Sequence, residues 1–303
     1  MASPEAEAVK TMLLALRESI VDANATPTIE DMRTGGEAFG ELATEPEGVR
    51  WEDVEVGGRP CRWAIPDGAA EDCVVQYVHG GGYVIGSLDS YRRLTGHYAK
   101  AVGCRVLSVD YGLAPERPHP GAVTDSAAVY RALLEDFAPE RLAISGDSAG
   151  GGLTMATLVK LRDNGTPLPA AGVPLSPWVD LEGTGASMDT KADADLIVGR
   201  DGLAQMATLF LAGGDARDPL AAPLYADLAG LPPLYIQVGA DETLLDDATR
   251  LAANAAHAGV EVRLDVFPEM QHVFQMGAGT FPEAGEALDR IGQWLRPRLG
   301  IGG

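Results

Sequence analysis

The chain predicts an α/β architecture: a mainly parallel central sheet flanked by helices. Three observations carry that reading. From residue 51 onward, strand-like and helix-like stretches alternate. Runs such as Val74-Val75-Gln76-Tyr77-Val78 and Leu234-Tyr235-Ile236-Gln237-Val238 are apolar almost throughout, as strands covered on both faces must be. And 303 residues, 46% of them hydrophobic, are enough for one large packed core.

Taken in order, the first forty-five residues stand apart. Val9, Met12, Leu13, Leu16 and Ile20 recur at helical spacing, opposite a face that mixes Glu7, Lys10, Arg17 and Glu18. A mixed-sign face suits packing on the main body better than a membrane surface, which would select Lys and Arg. Residues 1–45 are therefore expected to form a helical cap segment, with the main α/β domain over 46–303. Strands are expected at 51–57, 60–65, 73–78, 104–109, 141–145, 171–176, 234–239 and 260–267, and helices near 90–102, 120–136, 149–162, 245–258 and 281–296. In the last strand Val260, Val262, Leu264 and Val266 alternate with Glu261, Arg263 and Asp265, the pattern of a half-exposed edge. Residues 183–218 interrupt the alternation with a polar, Gly/Asp-rich stretch and a helix around Leu203 to Leu211, read as an inserted second part of the cap above the sheet.

Charge excludes several function classes. The balance of 23 basic against 44 acidic residues gives −21, which repels phosphate backbones and anionic lipid heads. No nucleic-acid or membrane partner is expected. The three cysteines, Cys61, Cys73 and Cys104, are widely spaced and lack a zinc-binding pattern, so they read as reduced and structural, and no metal is expected. With neither a basic, apolar leader nor a long apolar run, a cytoplasmic protein is expected.

The chemistry is concentrated in a few short segments. Gly146-Asp147-Ser148-Ala149-Gly150 follows the strand Leu142-Ala143-Ile144-Ser145 and opens a helix, which is the strand-turn-helix setting of a G-x-S-x-G nucleophile elbow. Small neighbours let a serine hydroxyl project from such a tight turn, and the helix N-terminus adds positive potential around it. His79-Gly80-Gly81-Gly82-Tyr83 follows the apolar strand 73–78. Its glycines suit a loop that wraps main-chain N–H groups around an oxyanion, so Gly81 and Gly82 join Ala149 as candidate donors.

Of the five histidines, His272 follows the last strand, where the chain order Ser, acid, His places a base. His97 and His257 fall in helical stretches, His79 belongs to the glycine loop and His119 lies between two prolines. For the acid, Asp241 and Glu242 follow strand 234–239 side by side and either suits the role, whereas Asp246 and Asp247 are expected to cap the next helix. Tyr83, Trp178 and Phe210 are candidate walls of an apolar substrate pocket, or else core.

With these residues in hand, the sequence resembles the bacterial hormone-sensitive-lipase-like family (family IV) of α/β-hydrolase carboxylesterases. The matching segments are His79-Gly80-Gly81-Gly82, Asp110-Tyr111-Gly112-Leu113-Ala114-Pro115-Glu116, Gly146 to Gly151, Asp218-Pro219-Leu220 and the region of His272, running from about residue 50 to the C-terminus. The resemblance implies the α/β-hydrolase fold with an N-terminal cap, and homodimers joined through the edge strand. It also bears on the acid. The family's Asp-Pro-Leu-x-Asp box places the acid four residues before a second aspartate; counting back from Asp246 gives Glu242, with Leu244 on the box leucine. Glu242 departs from the common aspartate, and some relatives use glutamate.

The expected activity is that of a serine carboxylesterase acting on small-molecule esters with short to medium acyl chains, without a cofactor, and with an acid limb near the ordinary histidine range of about 6 to 7. An amidase would share the nucleophile, but esters are the easier substrates and no peptide subsite is evident. A non-catalytic binding protein on this fold would not need an intact serine, histidine and acid.

Overall fold

The computed structural model describes residues 2–22 and 28–302, the side chains of 16–22 excepted, so Leu16, Arg17, Glu18 and Ile20 of the N-terminal stripe lie outside the described side chains. Eight strands form one sheet: β1 (Val49–Val56), β2 (Arg59–Pro66), β3 (Ala70–Val78), β4 (Cys104–Val109), β5 (Leu142–Asp147), β6 (Ala171–Leu175), β7 (Leu234–Gly239) and β8 (Val262–Phe267). Their spatial order is β1-β2-β4-β3-β5-β6-β7-β8. β1 and β2 are an antiparallel hairpin turned by Gly57 and Gly58, both at positive φ as a two-residue turn of this kind requires. β2 also runs antiparallel to β4, and from β4 to β8 every pairing is parallel.

Period-two burial sorts the strand side chains between two helical layers. On one face Val74 and Val78 of β3 join a core built with α4 (Gly121–Leu133), α5 (Ala149–Asp163) and α8 (Leu245–His257). On the other, Cys73, Val75 and Tyr77 pack with α3 (Arg92–Val102) and α9 (Pro282–Arg298) through Leu94, Tyr98, Ile291 and Leu295. β8 is the edge its alternation predicts. Val262 and Leu264 pack towards the α8 face, while Val266 is 43% exposed.

The N-terminal region departs from the sequence reading. Besides α1 (Pro4–Asp22) there is a second helix, α2 (Ile29–Glu37), in which no residue is fully buried. It is short and carries only two large apolar residues, Ile29 and Met32, and its start is fixed by a capping box between Thr28 and Asp31. In the insertion, a single turn, α6 (Ser187–Thr190), precedes α7 (Arg200–Leu211), the helix expected near Leu203. Asp246 and Asp247 do not cap α8 with their side chains. They project across from its first turn: Asp246 accepts the Ser187 N–H, and Asp247 accepts those of Val179 and Asp180. No helix among the described residues is long and apolar enough to cross a membrane.

Candidate active site

Ser148 lies between β5 and α5 with φ 54° and ψ −120°, a conformation outside the regions open to most residues. Such a turn closes only where its neighbours lack side chains. A Cβ on Gly146 would lie 2.7 Å from the Gly150 carbonyl carbon, and one on Gly150 would lie 2.7 Å from that of His79. The strain lifts the Ser148 hydroxyl off the sheet toward His272, whose Nε2 is 2.9 Å from Oγ. His272 Nδ1 is 3.0 Å from Glu242 Oε2, so the imidazole is gripped at both nitrogens. Glu242 Oε1 accepts the Ser176 hydroxyl at 2.7 Å and also the Gly239 N–H.

The neighbouring carboxylate is elsewhere. Asp241 points away from the imidazole to Lys10 Nζ of α1, 3.1 Å off, with Lys191 Nζ at 3.8 Å. Three of the other histidines have partners elsewhere, His97 at the Thr44 carbonyl, His79 at the Gly80 carbonyl and His119 beside Asp218, and His257 lies exposed in the last turn of α8.

Gly81 and Gly82 turn beside Ser148 with φ of 99° and 61° and line the same cavity. Among the described residues their N–H groups meet no protein acceptor. Ala149 is the first residue of α5, so its N–H has no partner within the helix. The cavity holds about 250 Å³, mostly behind apolar side chains: Leu13 of α1, Ile85 beyond the glycine loop, Ile197 and Val198 of the insertion, and Leu203 and Met206 of α7.

Tyr83, Trp178 and Phe210 are not part of that lining, which corrects the expectation that they wall the pocket. Tyr83 takes φ 63°, and its ring stacks on Phe210 at 3.8 Å between centroids and approaches Trp178 at 6.2 Å. All three are buried core beneath the loops.

Comparison with known proteins gives the family. A family described as alpha/beta hydrolase fold matches residues 75–276. An acetyl-hydrolase of Streptomyces hygroscopicus is 42% identical, across 100% of this chain and 99% of its own. A carboxylesterase of Mycobacterium tuberculosis is 32% identical across 88% and 86%. The crystal structure of an esterase from the bacterial hormone-sensitive lipase family superposes with a TM-score of 0.94 at 47% identity, covering both chains completely. The chain belongs to the hormone-sensitive-lipase-like family of α/β-hydrolase esterases. It is a carboxylic ester hydrolase.

Electrostatics in the esterase's site follow from burial opposed by partners. Burial alone lowers the His272 pKa, but the hydrogen bond and charge of Glu242, with the charges of Asp195 and Asp147, outweigh it, and the net shift is upward from 6.5. Burial raises the Glu242 carboxyl, against the pull of hydrogen bonds from His272 and Ser176.

One member of this site escaped the sequence reading. Asp147, fully enclosed, accepts the Tyr77 hydroxyl at 2.8 Å and the Gly80 N–H at 3.1 Å on one oxygen, and the Tyr91 hydroxyl at 2.8 Å on the other. It ties the elbow to the glycine loop, and burial pushes its carboxyl up to about 6. Its place inside the G-x-S-x-G motif was the available signal; the two tyrosines that meet it come from distant segments.

Proposed function

We propose that this esterase hydrolyses short to medium acyl esters through an acyl-enzyme on Ser148. The observation that carries the reading is the unbroken relay from Ser148 Oγ to His272 Nε2 at 2.9 Å and from His272 Nδ1 to Glu242 at 3.0 Å. Ser148 Oγ bonds to the acyl carbon while its proton passes to His272 Nε2. The resulting oxyanion is held by the N–H groups of Gly81, Gly82 and Ala149. Glu242 keeps the imidazole in the tautomer with hydrogen on Nδ1 and offsets its charge once protonated. His272 then gives the proton to the leaving alkoxide as the ester C–O bond breaks. Water repeats the cycle on the acyl-enzyme, with His272 accepting its proton and returning it to Ser148 as the acid leaves.

Substrate size follows from the enclosure. A cavity of about 250 Å³ falls just below the usual range of ligand sites and is flanked by α1, α2 and the 183–218 segment, which together serve as the cap. An acyl-length series of p-nitrophenyl esters on wild type and Ser148→Ala tests the proposal. Acetate to hexanoate are turned over well and palmitate poorly, and Ser148→Ala loses on the order of 10³-fold or more. The reverse length ranking overturns the size reading, and an active Ser148→Ala overturns the nucleophile.

A further inference from the structure

The loop that carries His272 is strained. Val273, immediately after it, is β-branched at φ 49°, and Glu269, three residues before it, is at φ 63°. Backbone in this region persists where surrounding contacts over-determine it. Ser176 Oγ accepts the Val273 N–H at 3.3 Å and the Met270 carbonyl accepts the Asp241 N–H at 3.1 Å, and a further set of contacts comes from the insertion. The Gln271 side-chain amide accepts the Leu196 N–H at 2.8 Å and donates to the Ala194 carbonyl at 3.0 Å. Between those two residues, Asp195 turns its carboxylate two ways. Oδ1 accepts the N–H groups of Ile197 at 3.0 Å and Val198 at 2.8 Å. Oδ2 accepts the N–H of Thr243 at 2.8 Å and its hydroxyl at 3.0 Å. Asp195, Thr243 and Gln271 are all buried.

The placement of these bonds is the telling feature. Thr243 is the residue after Glu242, Gln271 is the residue before His272, and Ile197 and Val198 line the cavity. We propose that Asp195 and Gln271 are positioning residues, clasping the loop of the triad acid to the loop of the triad base through residues 194–198 and tying both to the wall that meets the substrate. The proposal rests on the triad reading above. Its physical content is registry: the His272–Glu242 pair depends on two separate loops, and a displacement of about 1 Å at a reacting group costs on the order of 10²-fold in rate. The clasp also has an electrostatic side. The carboxylates acting on His272 are Glu242 from the loop after β7, Asp147 from the end of β5 and Asp195 from the insertion, while the nearby cations Lys10 and Lys191 lie against Asp241.

Two variants test it. Asp195→Asn keeps the size, replaces one acceptor oxygen by a donor and removes the charge. The expected result is a kcat for p-nitrophenyl acetate lower on the order of 10- to 100-fold, KM little changed, and an acid limb of kcat/KM moved to lower pH. Gln271→Met fills similar space without either hydrogen bond and leaves the charge alone, so kcat falls while the acid limb stays in place. A side chain that merely fills space would lower thermal stability without this split between kcat and pH profile. Folded variants with the wild-type kcat and acid limb overturn the proposal. Where Asp195→Asn does not fold, a folded Gln271→Met with the wild-type kcat overturns it alone. A fluorophosphonate titration of wild type separates the two levels: labelling of Ser148 with unchanged variants sinks only the clasp, whereas no labelling at Ser148 sinks the triad reading itself.

Discussion

Gly81→Ala puts the greatest load on the glycine loop for the smallest chemical change. A Cβ at this position would press on the Ile85 carbonyl, 2.7 Å from its carbon and 2.8 Å from Ile85 Cγ1, where ordinary contact begins at 3.4 Å. The loop must open by most of an ångström, yet it is closed on itself, because the Gly81 carbonyl accepts the N–H groups of Val84 at 3.0 Å and Ile85 at 2.9 Å. An L side chain at φ 99° adds a backbone cost of about 1 to 2 kcal/mol. The melting temperature should therefore fall by several degrees. The larger effect is on rate. Moving the Gly81 N–H off the oxyanion removes one preorganised donor, which lowers kcat by about 10² to 10³. KM for a small acetyl ester should change little, because the donor matters most once charge has developed on the oxygen. Steady-state hydrolysis of p-nitrophenyl acetate, with active sites counted by an organophosphate burst, measures kcat per competent enzyme. A folded Gly81→Ala enzyme with kcat within about threefold of wild type would refute the assignment of this N–H as an oxyanion donor.

Two further outcomes follow from the same geometry. Glu242→Gln should cost on the order of 10⁴ in kcat, since an amide nitrogen facing Nδ1 favours the wrong tautomer, while Asp241→Asn should stay near wild type because Asp241 meets Lys10 instead; paired kinetics on the two variants decide between them. The imidazole must be neutral to take the Ser148 proton, and its pKa in the folded protein is raised. Activity therefore rises with pH through a midpoint above 6.5 and is lost as pH falls through it; a kcat/KM profile flat from pH 5 to 8 would exclude His272 as the base.

Much of the fold was legible because parallel strands buried on both faces leave long apolar runs, and β8 does lie at the sheet edge, although Val266 of its apolar stripe is exposed while Phe267 is buried. Ser148 and His272 were legible from motif and chain order. Glu242 was separable from Asp241 only through the register of the family box, since two adjacent carboxylates after one strand look alike until their side chains diverge. Other features had no local signature. α2 buries too little to show a stripe, and Tyr83, Trp178 and Phe210 are as apolar in a core as in a pocket wall. Asp147 and Asp195 take their meaning from partners far away in sequence. Tyr77 and Tyr91 converge on Asp147, and Thr243 meets Asp195 across 48 positions.

The central claim is that one hydroxyl, activated by one imidazole, faces a set of main-chain donors. Fluorophosphonate treatment followed by intact-mass and peptide mapping tests it most directly. One adduct per chain, located on Ser148 and abolished or strongly slowed in both Ser148→Ala and His272→Ala, is the predicted result. An adduct on another residue, or undiminished labelling after either substitution, would contradict it.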